Sequence, residues 1–195
     1  MRFSGDQQHK SNEKLIYGIN ITLDGCCDHT KLSANEEVHE YFTELMRHVD
    51  VLVYGRKTYE LMVPFWPDVA KNNSGPTKAM NEFAQAFDAN KIVVFSKSLD
   101  NAERDNTRIV RGNLKDEILK LKQEQGKDIA TGGVDLPSQL IELGLIDEFN
   151  VVVHPIVVGE GRRLDGISLA ENLQLQLVDS KIFKSGHVAL RYLRQ

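Results

Sequence analysis

The stretch from Ile129 to Leu164, IATGGVDLPSQLIELGLIDEFNVVVHPIVVGEGRRL, constrains the fold more than any other part of this chain. It reads as a short strand, a Gly-Gly turn, a short helix, a second strand and a glycine-bearing loop. Glu148 to Pro155 is strongly apolar on both faces, which places it centrally in a sheet covered on two sides. The turn Thr131-Gly132-Gly133-Val134 feeds a helix. Its backbone can therefore approach a ligand closely while the helix's unpaired N–H groups face an anion. That is one way to hold a dinucleotide pyrophosphate. Glycine turns between strands and helices are common, so a second signal is needed.

Asp50 to Glu60, DVLVYGRKTYE, supplies one. The run Val51-Leu52-Val53-Tyr54 ends in Gly55, and Arg56, Lys57 and Thr58 follow at the start of a helix. Buried parallel strands read as near-continuous hydrophobic runs. Two cations and a hydroxyl at such a strand's carboxyl end can hold a nucleotide phosphate by charge and by helix N–H donors. The alternative for an Arg-Lys pair is a solvated basic turn.

Strand-like and helix-like segments alternate through most of the 195 residues, which argues for one α/β domain with a largely parallel sheet. Lys14 to Thr22 is the first strand, and Ser33 with Glu36 makes a capping-box pattern before a helix. That helix carries Val38, Phe42, Leu45 and Val49 on one face. Pro64, Trp66, Pro67 and the cluster from Asn72 to Pro76 predict a long irregular connection, and such loops are often functional. Helices follow over Thr77 to Phe87, Asn113 to Lys122 and Asp135 to Leu143, with strands at Lys91 to Phe95, Thr107 to Arg111 and Asp128 to Thr131. Leu173 to Ile182 and His187 to Leu193 read as an antiparallel hairpin around Lys184-Ser185-Gly186. The alternation Leu173, Leu175, Leu177 predicts a half-buried strand there. Met1 to Glu13 is polar and is expected to be a disordered extension, which leaves residues 14–195 as the domain.

Composition mainly excludes. A net charge of -4 gives no basic footprint for nucleic acid or an anionic membrane. No apolar run reaches a membrane span, and the N-terminus lacks a signal-peptide core. Cys26 and Cys27 are adjacent and have no other cysteine to pair with, which fits a reducing cytoplasm. His29 alone does not complete a metal site beside them, so no metal is expected.

Four landmarks then stand in order: Thr22-Leu23-Asp24-Gly25; Gly55-Arg56-Lys57-Thr58-Tyr59-Glu60; Ser96-Lys97-Ser98-Leu99; and Gly132-Gly133 followed by Gly144-Leu145-Ile146-Asp147-Glu148. In this order and spacing the chain, from about Lys14 to Leu193, resembles the reductase domain of riboflavin biosynthesis and the wider dihydrofolate-reductase-like superfamily. The resemblance implies a three-layer fold, a mostly parallel central sheet with a C-terminal antiparallel hairpin, NADPH as cofactor and a homodimer. Ligands of such sheets sit outside the strands' carboxyl ends.

On that reading Gly132, Gly133 and Val134, after Thr131, give backbone donors to the pyrophosphate, and Arg56, Lys57 and Thr58 after Gly55 hold phosphate from the other side. Ser96, Lys97 and Ser98 surround the adenosine 2′-phosphate. The resemblance also implies a cis peptide between the two glycines. Asp135 just after them is repulsive to a phosphate unless it caps the helix and points away. Hydride transfer often needs a proton source, for which Asp24, Glu37, His39 and Glu40 are available. Glu37 is the nearest counterpart of the helix carboxylate of dihydrofolate reductases, and Asp24 is equally a turn residue before Gly25. Phe65 and Trp66 can cover a flat ring or form a satellite cluster. Gly159 to Arg163 lines the substrate end or makes a charged turn, and His154 is a strand-end histidine.

Two departures bear on the substrate. Leu61 to Pro67 lacks the acidic-proline stretch and basic residue of riboflavin-pathway reductases, and Thr131 stands where those enzymes often carry glutamate. No zinc-ligand pattern of a fused deaminase is present either. The expectation is an NADPH-dependent reductase of a small heterocycle, closest to 5-amino-6-(5-phosphoribosylamino)uracil reductase. A pterin reductase and a non-catalytic nucleotide-binding relative are the alternatives.

Overall fold

The computed structural model describes residues 13–102 and 104–195. The expected disorder of the N-terminal extension falls, apart from Glu13, outside these residues. In chain order the elements are β1 (Leu15–Thr22), α1 (Glu36–His48), β2 (Val49–Gly55), α2 (Arg56–Met62), α3 (Phe65–Asn72), α4 (Lys78–Asp88), β3 (Lys91–Phe95) and β4 (Thr107–Val110). There follow α5 (Leu114–Leu121), β5 (Asp128–Thr131), α6 (Asp135–Glu142), β6 (Glu148–His154), β7 (Leu175–Ile182) and β8 (Val188–Arg194). The strands form one sheet in the order β4-β3-β2-β5-β1-β6-β8-β7. Six run parallel, and β8 and β7 close one edge as an antiparallel hairpin.

Alternation along the strands builds two cores, one on each face. Leu15, Tyr17 and Ile19 of β1 join Val53, Val93 and Ile129 and pack under α5 and α6 through Ile118, Leu136 and Leu140. On the other face Ile16, Leu52, Tyr54, Ile92 and Val94 pack under α1 and α4 through Met46, Phe83 and Phe87. Burying each such side chain contributes about 1.5–3 kcal/mol, which fixes the register of every interior strand. Helix α1 sits close to β1 because Gly18 leaves room: a Cβ there would lie 3.2 Å from a ring carbon of Phe42.

The structure corrects several local expectations. The cap of α1 is Asn35, whose Oδ1 accepts the Val38 N–H at 3.0 Å, and not Ser33. The stretch after Pro64 is no irregular loop but α3, and Pro67 is tolerated because first-turn N–H groups have no intrahelical acceptor. Strand β7 is exposed along its whole length, not half-buried, because it is the sheet's edge with β8 as its one neighbour. Strand β6 is interior as expected, yet one face carries Glu148, Asn150 and His154, all buried. These polar groups are satisfied locally: Arg191 Nε donates to Glu148 at 2.7 Å, Asn150 to Glu148 at 3.0 Å, and Tyr41 to Asn150 at 2.7 Å.

Candidate active site

The carboxyl ends of β1, β2, β3 and β5 open into one cavity of about 1340 Å³. Gly55, Arg56, Lys57 and Thr58 line it from β2, Ser96 and Lys97 from β3, and Thr131, Gly132, Gly133 and Val134 from β5. Three turns far apart in sequence thus share one rim.

The Gly-Gly turn is pinned from both sides. Thr131 Oγ1, buried, donates to Val53 O at 2.8 Å, and the buried Tyr17 hydroxyl donates to Gly133 O at 2.8 Å. Burial, with a smaller contribution from Cys27, holds that phenol far above its ordinary pKa, so it stays a donor. No peptide bond among the described residues is cis, and the expected cis link between Gly132 and Gly133 is not there. The chain turns instead through Gly133 at φ 88°, and a Cβ at that position would run into Thr58 Oγ1. Only glycine meets both demands comfortably.

Charge around the rim is partly cancelled. Arg56 bridges Glu60 at 3.0 Å, within α2. Asp135 does not cap α6, whose cap is Val134, but pairs with Lys57 at 3.7 Å and with Arg162. Its repulsion toward a phosphate is thereby offset by two cations. Lys97 and Arg111 line the same cavity and have no carboxylate partner among the described residues. Ser96 Oγ accepts the N–H groups of Ser98 and Leu99 at 3.2 and 2.9 Å. Ser98 shapes the turn and does not line the cavity.

Neither carboxylate singled out as a proton source reaches this space. Asp24 is a clasp: it accepts from the Thr22 hydroxyl at 2.5 Å and from the Gly159 and Val158 N–H groups at 2.9 and 3.2 Å, and pairs with Arg163 at 3.0 Å. Those bonds, that from Thr22 foremost, hold its pKa down at about 2. Glu37 clasps the hairpin, accepting the Lys184 and Ser185 N–H groups at 3.1 and 3.0 Å. Glu40 is exposed and outside the lining. Of the four candidates His39 alone lines the cavity, half-buried, with its ring 5.9 Å from both Trp66 and Phe83. Burial lowers its pKa. Val38, Phe42, Leu45, Phe65 and Trp66 give the same cavity apolar surface.

Sequence reasoning missed Asn20 and Arg111, which line the cavity; His154 is the strand-end residue expected, and it lines the cavity as well. Arg111-Gly112 follows β4 as Arg56 follows β2, so the same strand-then-cation logic would have found it. The Gly159 to Arg163 loop divides its work: Arg162 faces the cavity, and Arg163 holds Asp24.

A family model, the RibD C-terminal domain, matches residues 13–189. The chain belongs to the RibD C-terminal domain family. Uncharacterized protein YyaP of Bacillus subtilis (strain 168) is 34% identical over 188 residues, 92% of this chain and 94% of its own. Among solved structures, Acinetobacter baumannii RibD superposes with a TM-score of 0.69 at 17% identity, over 95% of this chain and 59% of that one. Dihydrofolate reductase from Enterococcus faecalis, complexed with NADP(H), gives 0.63 at 15% identity, over 93% and 96%. At those identities the two likenesses establish the dihydrofolate-reductase-like fold. The chain therefore has the α/β architecture of this family, with its hairpin-closed parallel sheet. Among the described residues no helix is long and apolar enough to cross a membrane.

Proposed function

We propose that this RibD C-terminal domain protein is an NADPH-dependent reductase of a small, flat heterocycle, closest in kind to 5-amino-6-(5-phosphoribosylamino)uracil reductase. The observation that carries the reading is convergence: the turns after β2, β3 and β5 line a single cavity, whose lining combines cations with aromatic rings. The residues fit the cofactor. Gly133 brings its backbone close to α2 where any side chain would collide, and Lys97 and Arg111 offer charge that no carboxylate among the described residues takes. Gly132, Gly133 and Val134 would face the pyrophosphate, with Arg56, Lys57 and Thr58 opposite. Lys97, Arg111 and the Ser96 turn would hold the 2′-phosphate, which a free ribose lacks. Thr131 serves indirectly, by fixing the turn. When bound, the nicotinamide supplies the hydride, and the protein supplies position and electrostatics.

The apolar part of the lining excludes water and favours a planar ring against Trp66 and Phe65. His39 is the group there that can hold a proton, in place of Asp24 and Glu37. A ribose-phosphate tail has no evident cation in Leu61 to Pro67, so the heterocycle itself is the recognised part. A second copy of the chain is the expected partner, and the exposed apolar edge of Leu175, Leu177, Val178 and Ile182 is where it would pack. NADPH binding followed by fluorescence, then NADPH oxidation against a panel of pyrimidines and pterins, tests the reading. Turnover of a pterin alone selects a dihydrofolate-type reductase. Tight binding without turnover selects a non-catalytic relative, and absence of NADPH binding removes all three.

A further inference from the structure

The cavity wall between β1 and β6 holds a hydrogen-bonded chain that the reductase reading leaves unused. Asn20 of β1 lines the cavity, and its Oδ1 lies 3.0 Å from His154 Nε2. His154 Nδ1 lies 3.1 Å from His187 Nε2, and His187 Nδ1 lies 3.0 Å from Ser185 Oγ and 3.5 Å from Asn35 Nδ2. Both rings are buried, at 2% and 9% exposure, and cross edge-to-face with centroids 4.4 Å apart. The chain joins strands at opposite ends of the sequence to the first residue of the α1 cap.

Its direction is read from its two ends, Asn35 and Asn20. Asn35 Oδ1 is engaged by the Val38 N–H, so the group that Asn35 turns to His187 is its NH₂, which can only donate. His187 Nδ1 is then the acceptor and its Nε2 carries the proton. Nε2–H donates to His154 Nδ1, and His154 Nε2–H donates to Asn20 Oδ1. A neutral imidazole has one donor and one acceptor, so each link dictates the next. Burial and the adjacent His187 lower the His154 pKa to about 4, which keeps that ring neutral. The Ser185 hydroxyl also bonds the Glu37 carboxylate, and in that rotamer Ser185 Oγ would accept from His187 Nδ1 and reverse the order; the far end decides, because Asn20 turns Oδ1, an acceptor, to His154 Nε2 at 3.0 Å.

With Oδ1 occupied, the Asn20 amide nitrogen is left without a protein partner among the described residues. We infer that Asn20 is a specificity-determining residue: it presents an NH₂ donor to the cavity and selects heterocycles that place a ring carbonyl oxygen there, over those with an amino group. This rests on the reductase reading of the same cavity. His154 and His187 are positioning residues, since they act through Asn20.

Two measurements test it. Long-range proton–nitrogen correlation spectra of the imidazole rings at neutral pH are expected to show His154 and His187 both protonated at Nε2. An Nδ1–H form of His154 overturns the chain, because Asn20 must then turn its carbonyl to the cavity. Second, in the NADP⁺-loaded protein, 5,6-diaminouracil should bind about tenfold tighter than 2,4,5,6-tetraaminopyrimidine, in which amino groups replace both carbonyls. Asn20→Asp, which keeps an acceptor for His154 but offers oxygen to the cavity, should reverse that order, with a cooperative thermal melt showing that the variant is folded. Equal affinities, binding of neither ring, or an unchanged order in Asn20→Asp overturns the inference. Failure of the wild type to bind NADPH sinks the reductase reading instead, and the ring spectra still decide the hydrogen-bond chain.

Discussion

Two parts of the cavity lining are built by different means. In the turns after β2, β3 and β5, each contributing segment is contiguous in sequence, and its groups are glycines, backbone and partly exposed cations. Between β1 and β6, the groups are side chains centred on two buried histidines and drawn from β1, the α1 cap, β6 and the terminal hairpin, bonded to each other across 134 and 152 residues of chain. The first kind of site is set by local geometry and tolerates neighbours. The second is set by a complete network in which one altered member leaves another unsatisfied.

Replacing Gly133 by Val should show how little these turns tolerate in their backbone. A side chain at φ 88° is strained and meets Thr58, and about 3 kcal/mol of such strain weakens NADPH binding roughly a hundredfold. Cofactor fluorescence measures it, and unchanged affinity would remove this turn from the site. Arg111→Ala removes a charge together with its bond to Leu99 O at 2.6 Å: NADPH affinity should fall about tenfold, and NADH affinity much less, by loss of one charge-assisted contact. Equal loss for both cofactors would move Arg111 away from the 2′-phosphate.

Asp24→Asn separates a clasp from an acid. A lost general acid costs roughly a hundredfold or more in rate and removes a limb of the pH profile. A lost clasp should lower the melting temperature, leave kcat within about tenfold and keep the profile's shape. The smallest effect lies at the histidine pair. The folded pKa of His154, about 4, is below its ordinary value of 6.5. Above that ordinary value both folded and unfolded chains carry the neutral ring. As pH falls from about 6.5 toward about 4 the unfolded chain takes up a proton that the folded chain refuses, so stability drops by at most about 1.4 kcal/mol per pH unit. Chemical denaturation across this window should show the slope, and His154→Gln should flatten it.

This contrast also explains what could be read from the residues. The α/β class, the hairpin and the three turns that line the cavity after β2, β3 and β5 were legible because periodicity and glycine placement are local signals. Pro64 to Pro76 misled because proline marks helix starts as well as loops, and α3 begins directly after Pro64. Leu175 and Leu177 alternate as a buried strand does, yet the sheet ends there and no layer covers them. Asp24 and Glu37 attracted attention as carboxylates near the right strand, but whether a carboxylate faces a ligand or the backbone of a distant loop depends on partners such as Gly159 and Ser185. Asn20 and His187 carry no local pattern at all.

The sheet order has a bearing on how the molecule is made. Among the described strands, β1 pairs with β5 and β6 and with none that comes before them in the chain. A growing polypeptide must therefore keep this apolar segment unpaired until Asp128 and its successors leave the ribosome, and β2, its successor in sequence, cannot shield it by pairing. Slow translation before β5 would lengthen the life of a sticky, one-stranded intermediate, the stage at which chaperone capture or clumping becomes most costly.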